Sequence, residues 1–296
     1  MLALSAVAYT ASAQFYINAG LGYAIPQAGQ TIDGTTQPYN GSVANTTYTS
    51  TYNIKAASFC AGTQGVLGLG YMFSDHVGVQ MDALIGIATK KYTFSEDSVR
   101  IGGIEKDVST IQKAKNPVFL APSLVLQTGG NVLNIYARFG VAIPLNTKIT
   151  QDQIQTDLPG QGAREDLDFT IQVKNSFSLG FTGAAGVKYK ISDKVCIWGE
   201  ISMLSMSVYI KEADVTAFTY NGVSQSVSYV SPQSVKYSKN VVTDTNGNTA
   251  PTYSQPFSNV GIHVGISFSI GEKRQRGSNH FNGGEGDDNK KPFKRR

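Results

Sequence analysis

The sequence predicts an all-β chain: an eight-stranded antiparallel up-and-down transmembrane β-barrel with long extracellular loops. Three observations predict it. Eight segments alternate bulky apolar residues with small or polar ones, the links between them are short and long by turns, and the second face of each segment carries little charge. Residues 260–270 show the pattern in full. Val260, Ile262, Val264, Ile266, Phe268 and Ile270 share one face, and Gly261, His263, Gly265, Ser267 and Ser269 share the other. A period of two gives each strand one face for hydrocarbon and one for something else.

The first strand is expected over 15–25, with Phe15, Ile17, Ala19, Leu21, Tyr23 and Ile25 outward and Asn18, Gly20 and Gly22 opposite. The second covers about 62–73, with Leu67, Leu69, Tyr71 and Phe73 outward. The third covers 77–88, with Val79, Met81, Ala83, Ile85 and Ile87 outward, and only Ser74, Asp75 and His76 separate the two. The fourth, 118–127, turns through Thr128-Gly129-Gly130-Asn131 into the fifth, 132–143. The sixth, 177–191, passes through Ser192-Asp193-Lys194 into the seventh, 195–208, and 260–270 is the eighth. Such tight polar turns mark hairpins.

Turns after strands two, four and six must lie at one end, and the long links 26–59, 89–117, 144–176 and 209–256 at the other. Bacterial outer-membrane barrels show this alternation, with short periplasmic turns, long extracellular loops and both termini in the periplasm. Each strand has ten or more residues, enough to cross hydrocarbon when tilted. Ahead of them, an apolar run closes on Ala11-Ser12-Ala13, a small-x-small cleavage pattern that makes 1–13 a signal peptide and Gln14 the first mature residue. Its positively charged region is missing, which points to a truncated start. Cys60 falls at the outer end of strand two and Cys196 at the inner end of strand seven, too far apart to bond.

A soluble barrel with its apolar face inward would alternate in the same way. The second face argues against it: Ser178, Gly180, Thr182, Ala184 and Gly186 in strand six are not the Lys- and Glu-rich surface that water selects. The 31 glycines lie mostly within alternating segments, where they suit a crowded lumen. Tyr23, Tyr71, Phe73, Phe177, Tyr189 and Phe268 sit near strand ends, as interfacial aromatics do. The net charge of +4 comes from residues 271–296, with eight Lys/Arg against four Asp/Glu, so the remainder is balanced and no nucleic-acid partner is expected.

The final strand reads His263-Val-Gly265-Ile-Ser-Phe268-Ser-Ile270, a polar residue, a glycine two on, and two bulky apolar residues at alternate positions. With it, residues 15–270 resemble the small outer-membrane β-barrel proteins of Gram-negative bacteria, the OmpA-like barrel family, and within it the porin-like barrels common in Bacteroidetes. The resemblance implies that His263, Gly265, Phe268 and Ile270 form an insertion signal read by the barrel-assembly machinery. It further implies a chain embedded among outer-membrane lipid and lipopolysaccharide. The departure is that 26 residues follow Ile270, where the family often ends in an aromatic residue.

The inward face carries Asp82, Arg138, Lys188 and Glu200. In an eight-stranded barrel side chains fill the interior, so these four are expected to form an ion network, with Gln64, Gln80 and Asn134 adding hydrogen bonds. Related barrels imply the same kind of plug. No catalytic residue emerges: of His76, His263 and His280, none can join a serine and an acid at the outer rim. No metal or cofactor is expected either. Asp244-Thr-Asn246-Gly-Asn248 lacks the closing glutamate of a calcium loop, and Gly65-Val-Leu-Gly68-Leu-Gly70 precedes no helix.

The long links are rich in Thr, Ser, Asn, Gln and Tyr, predicting strands that run beyond the bilayer as a twisted rim bearing Tyr39, Tyr48, Tyr52, Tyr220, Tyr229, Tyr237 and Tyr253. The tail 271–296, ending Lys294-Arg295-Arg296, cannot bury a core and is expected to be a disordered basic periplasmic segment. The expected function is non-enzymatic: envelope integrity, or surface interaction with an unidentified extracellular ligand. A narrow passive pore is the alternative, and a soluble lipocalin-like ligand-binding barrel the third.

Overall fold

The structure, a computed structural model, describes residues 14–27, 31–32, 55–101, 104–159, 163–240 and 248–270. The leader 1–13, the tail 271–296, Tyr39, Tyr48, Tyr52 and positions 244–247 lie outside the described residues. Strands in chain order are β1 (Gln14–Pro26), β2 (Thr31–Ile32), β3 (Lys55–Ala56), β4 (Gly62–Met72), β5 (Val77–Thr89), β6 (Tyr92–Ile101) and β7 (Ile104–Ala114). There follow β8 (Val118–Gln127), β9 (Leu133–Asn146), β10 (Ile149–Pro159), β11 (Glu165–Asn175), β12 (Gly180–Lys190) and β13 (Val195–Ser205). The last are β14 (Ser207–Tyr220), β15 (Val223–Gln225), β16 (Ser234–Ser238), β17 (Thr249–Pro251), β18 (Ser254–Pro256) and β19 (Asn259–Ile270).

Eight of these strands close an antiparallel barrel in the order β1-β19-β13-β12-β9-β8-β5-β4. They are the eight segments of the sequence pattern, and the fourth, 118–127, agrees to the residue. Closure rests on β1, which pairs with β19 from Phe15↔Ile270 to Pro26↔Asn259 and with β4 from Gln14↔Met72 to Ala24↔Gly62. No edge is left for hydrocarbon to strand. The hairpin between β8 and β9 turns through Gly129, whose φ of 71° is the left-handed conformation that glycine adopts without strain.

The outer wall is apolar throughout. Leu69 and Ile262 are each 64% exposed and Phe181 71%, which only a hydrocarbon solvent makes favourable. Aromatic residues gather where this belt ends. Phe15, Tyr71 and Phe73 pack together at the end with the short turns, with ring centroids 4.7 and 5.3 Å apart, and Tyr23, Phe177 and Phe181 stand towards the end with the long links.

Three of the four long links differ from loops. Beyond the belt, β6, β7, β10, β11, β14, β16 and β17 form a second sheet in the order β17-β16-β14-β11-β10-β7-β6, with β15 and β18 also pairing with β14. The barrel hairpins run on into it: β5 gives way to β6, β9 to β10 and β13 to β14 after one to two residues. The hydrogen-bond ladder continues where hydrocarbon stops, but both faces of a strand such as β10 turn polar (Thr150, Gln151, Asp152, Gln153), so the apolar alternation disappears. Of the tyrosines expected on the rim, Tyr229 is freely exposed, whereas Tyr237 packs on the apolar core and against Tyr253, 6.0 Å away.

Inside the barrel, glycines stand opposite large side chains. A Cβ on Gly70 would enter the Tyr16 ring, one on Gly20 or Gly265 the Trp198 ring, and one on Gly22 the imidazole of His263. An eight-stranded lumen is only wide enough for side chains to fill, so each bulky residue needs an empty position beside it. Gly70→Leu should therefore prevent closure. The measurement is the heat-dependent gel shift of the chain refolded in lipid vesicles, expected to vanish for Gly70→Leu and to persist for Ile262→Leu on the outer face.

Candidate functional site

The lumen is built in layers. At the short-turn end, Tyr16, Met72 and Val125 form a small buried apolar cluster. Above it lies a hydrogen-bonded chain across the barrel. Tyr16 Oη donates to Gln80 Oε1 at 2.8 Å, and Gln80 Nε2 donates to both oxygens of Asp82 at 2.7 and 2.9 Å. Arg138 Nη1 then reaches Asp82 Oδ2, while its Nη2 and Nε grip the two oxygens of Glu200. Tyr136 Oη donates to Glu200 Oε2 at 2.8 Å. All three charged side chains are at most 2% exposed.

Of the four inward charged residues, the structure brings together Asp82, Arg138 and Glu200, from β5, β9 and β13. Lys188 stands apart from them. Its ammonium lies 4.4 Å from the Tyr16 ring centre and 4.9 Å from that of Tyr136, and it makes no ion pair among the described residues. The aromatic faces, rich in π-electron density, take the place of a carboxylate. Asn134 contributes no bond through its buried Oδ1, and Gln64 joins a different chain. His263 Nε2 lies 3.1 Å from Gln64 Oε1 and Nδ1 lies 3.0 Å from Ser202 Oγ; Glu200 is 3.9 Å away. Of the other positions in the expected insertion signal, Gly265 faces the lumen beside Trp198, and Phe268 and Ile270 are exposed on the belt.

Gln64 leads to a feature that the sequence pattern does not show. Its Nε2 donates to the carbonyl of Cys60 at 2.7 Å, and Cys60 belongs to a segment, Ala57 to Ala61, that is at most 2% exposed throughout. This segment, expected within or just beyond the first long link, fills the barrel mouth. Phe59 packs on Phe257 (5.8 Å between centroids) and edge-on to Tyr92 (5.9 Å), and Phe119 packs on Phe257 (6.0 Å). Leu204, Met206, Val208, Ile210, Ile149 and Val173 complete an apolar layer between the barrel and the second sheet.

Backbone bonds fix the seal from several sides. Ser58 N–H donates to Tyr92 Oη and Tyr92 Oη donates to Ser58 O; Phe59 N–H donates to Pro256 O, and Lys90 N–H to Ala61 O. Tyr16, Tyr136 and Trp198, bulky aromatics on otherwise small or polar faces, help to fill the lumen below the seal. In the second sheet, Lys174 bridges Glu212 (3.0 Å) and Asp214 (2.7 Å), holding the Asp214 carboxyl below its ordinary range. Cys60 and Cys196 are both free thiols. Among the described residues, no group of three His, Cys, Asp or Glu could hold a metal.

A family model described as the outer membrane protein beta-barrel domain matches residues 1–230. The chain belongs to this outer-membrane β-barrel family. Its place is accordingly the bacterial outer membrane. Among solved structures, this barrel is similar to the outer membrane protein OprG from Pseudomonas aeruginosa, at 13% identity and a TM-score of 0.40, covering 88% of this chain and 96% of that one. A major outer membrane protein from Thermus thermophilus is similar at 10% identity and a TM-score of 0.36, covering 87% and 99%. No curated protein matches the sequence.

Removing one partner from a buried ionic cluster leaves charge stranded, at a cost of about 3–5 kcal/mol. Arg138→Met should therefore lower the unfolding free energy of the barrel in vesicles, read from urea titration, by an amount of that order. Joining it with Glu200→Gln should restore part of the loss, since the one carboxylate left, Asp82, is then balanced by Lys188.

Proposed function

We propose that this outer-membrane barrel is a non-enzymatic anchor with a shut lumen, serving surface interaction or envelope integrity through the sheet it raises above the membrane. The short turns and both termini of the barrel, near Gln14 and Ile270, face the periplasm, and the second sheet faces the cell exterior. The observation that carries this reading is the apolar seal beneath that sheet. Phe59, Phe119 and Phe257 are fully buried, and the strands that make the barrel continue past them. The chain thus devotes its inner volume to packing and its polar, many-stranded sheet to the outside.

A closed lumen supports the anchor over the narrow pore. Ions would meet first an apolar layer and then a network whose every charge is engaged. The wild-type chain in planar bilayers is expected to show no resolved current steps, and Phe59→Gly and Phe257→Gly joined with Arg138→Gly, which opens both layers, are expected to produce them. Steady conductance by the wild type would overturn the shut-lumen reading. Orientation is tested on intact cells with a membrane-impermeant maleimide, in a background lacking Cys60 and Cys196. Tyr229→Cys should label at once and Asp75→Cys only after the envelope is breached; the reverse order would invert the topology.

A further inference from the structure

The outer wall is not evenly convex. A trough of about 620 Å³ crosses it over β1, β4, β5, β8, β9 and β12, and its lining is almost wholly apolar. Strand register explains its shape. Phe15, Tyr71, Val79, Leu124 and Phe139 are successive cross-strand partners in one row. Leu69, Met81 and Pro122 form the row beside it, which continues across β9 to the paired Val141 and Phe181. The first row carries rings at both ends, Phe15 and Tyr71 at one and Phe139 at the other, and the second ends on the ring of Phe181, with smaller or unringed side chains between. Between them the surface falls to the backbone of Gly70, Gln80, Ser123 and Gly140.

The lining includes the place where the ladder itself lapses. Pairing of β8 with β9 holds at Leu120↔Ile143 and resumes at Ser123↔Gly140, leaving out Ala121 and Pro122. Proline has no N–H to give a neighbouring strand and is rare inside sheets. Here the neighbour accommodates it with a glycine: a Cβ on Gly140 would meet the Pro122 carbonyl and Ser123 Cα. A proline at this place gives up an N–H to the β8–β9 ladder, and its compact ring becomes part of the trough lining.

We propose that this trough is a binding site for one acyl chain of a phospholipid. The wall lies within the apolar belt, so hydrocarbon is its solvent, and a concavity in that belt is filled by lipid chain or left empty. Its size falls in the range of small-molecule pockets, roughly 300–1,000 Å³. It offers no charge and almost no polar atom, which excludes a headgroup and leaves an unbranched chain as the complementary shape. The trough runs obliquely from Phe15 and Tyr71, at the short-turn end, up to Phe181, so a chain whose headgroup lies at the short-turn end can enter it beside those two rings. The choice of phospholipid over lipopolysaccharide rests on the topology proposed above, which puts that end in the periplasmic leaflet.

The experiment uses the full chain refolded into vesicles of phosphatidylethanolamine and phosphatidylglycerol with added lipopolysaccharide, extracted in mild detergent and examined by native mass spectrometry. The wild type should retain one phospholipid. Val79→Trp and Met81→Trp, which fill the trough from lipid-facing positions, should lose it, and Ile201→Trp on β13, outside the trough, should keep it. The heat-dependent gel shift confirms that each variant is folded. Equal retention by wild type and Val79→Trp would overturn the site. A dimer in place of bound lipid, abolished by Val79→Trp, would overturn it in favour of a second copy of the chain. Retention of lipopolysaccharide in place of phospholipid would overturn the assigned lipid, and the maleimide labelling reports independently whether the topology failed with it.

Discussion

A guanidinium in the middle of a membrane is the condition around which this barrel is arranged. Arg138 is almost completely removed from water, and ions so placed lose far more in hydration than any single partner returns. It is held by two carboxylates, and those in turn need Gln80 and Tyr136 to saturate their oxygens. Two acids against one base leave a negative charge, which Lys188 offsets from between two tyrosine rings without touching either acid. The glycines follow from the same condition, since the narrow lumen admits these long side chains only beside positions that have none.

The seal and the network are one assembly rather than two. Gln64 touches His263 below and the Cys60 carbonyl above, so the polar layer meets the apolar one through a side chain that can serve both. Between them the two layers occupy the lumen by different means: one with packed apolar side chains, the other with charges that bond to one another.

What was legible in the sequence was what hydrocarbon enforces. Each crossing strand must show an apolar residue at every second position, so all eight were visible, and Asp82, Arg138, Lys188 and Glu200 could be placed on the inward face. The second sheet was legible only as a tendency, because strands such as β10 meet water on both faces and carry no alternation. The seal was not legible at all. Ala57-Ser58-Phe59-Cys60-Ala61 has no periodicity, and its position is fixed by contacts from Tyr92, Pro256 and Phe257, distant in sequence. Charge alone would assign Lys188 to the ion network, whereas the rings of Tyr16 and Tyr136 have the better claim.

The seam between β1 and β19 has a consequence for how such a chain reaches its membrane. Phe15 pairs with Ile270, so the first strand waits for the last before its outer ladder is satisfied. Until then the growing sheet carries two raw edges, each a row of unpaired amides that hydrocarbon will not accept and that a second chain would readily template. Contacts so far apart in sequence form slowly. The interval between the first hairpin and the closing seam is therefore the hazardous part of this protein's life, and whatever shelters those edges determines whether a barrel or an aggregate results.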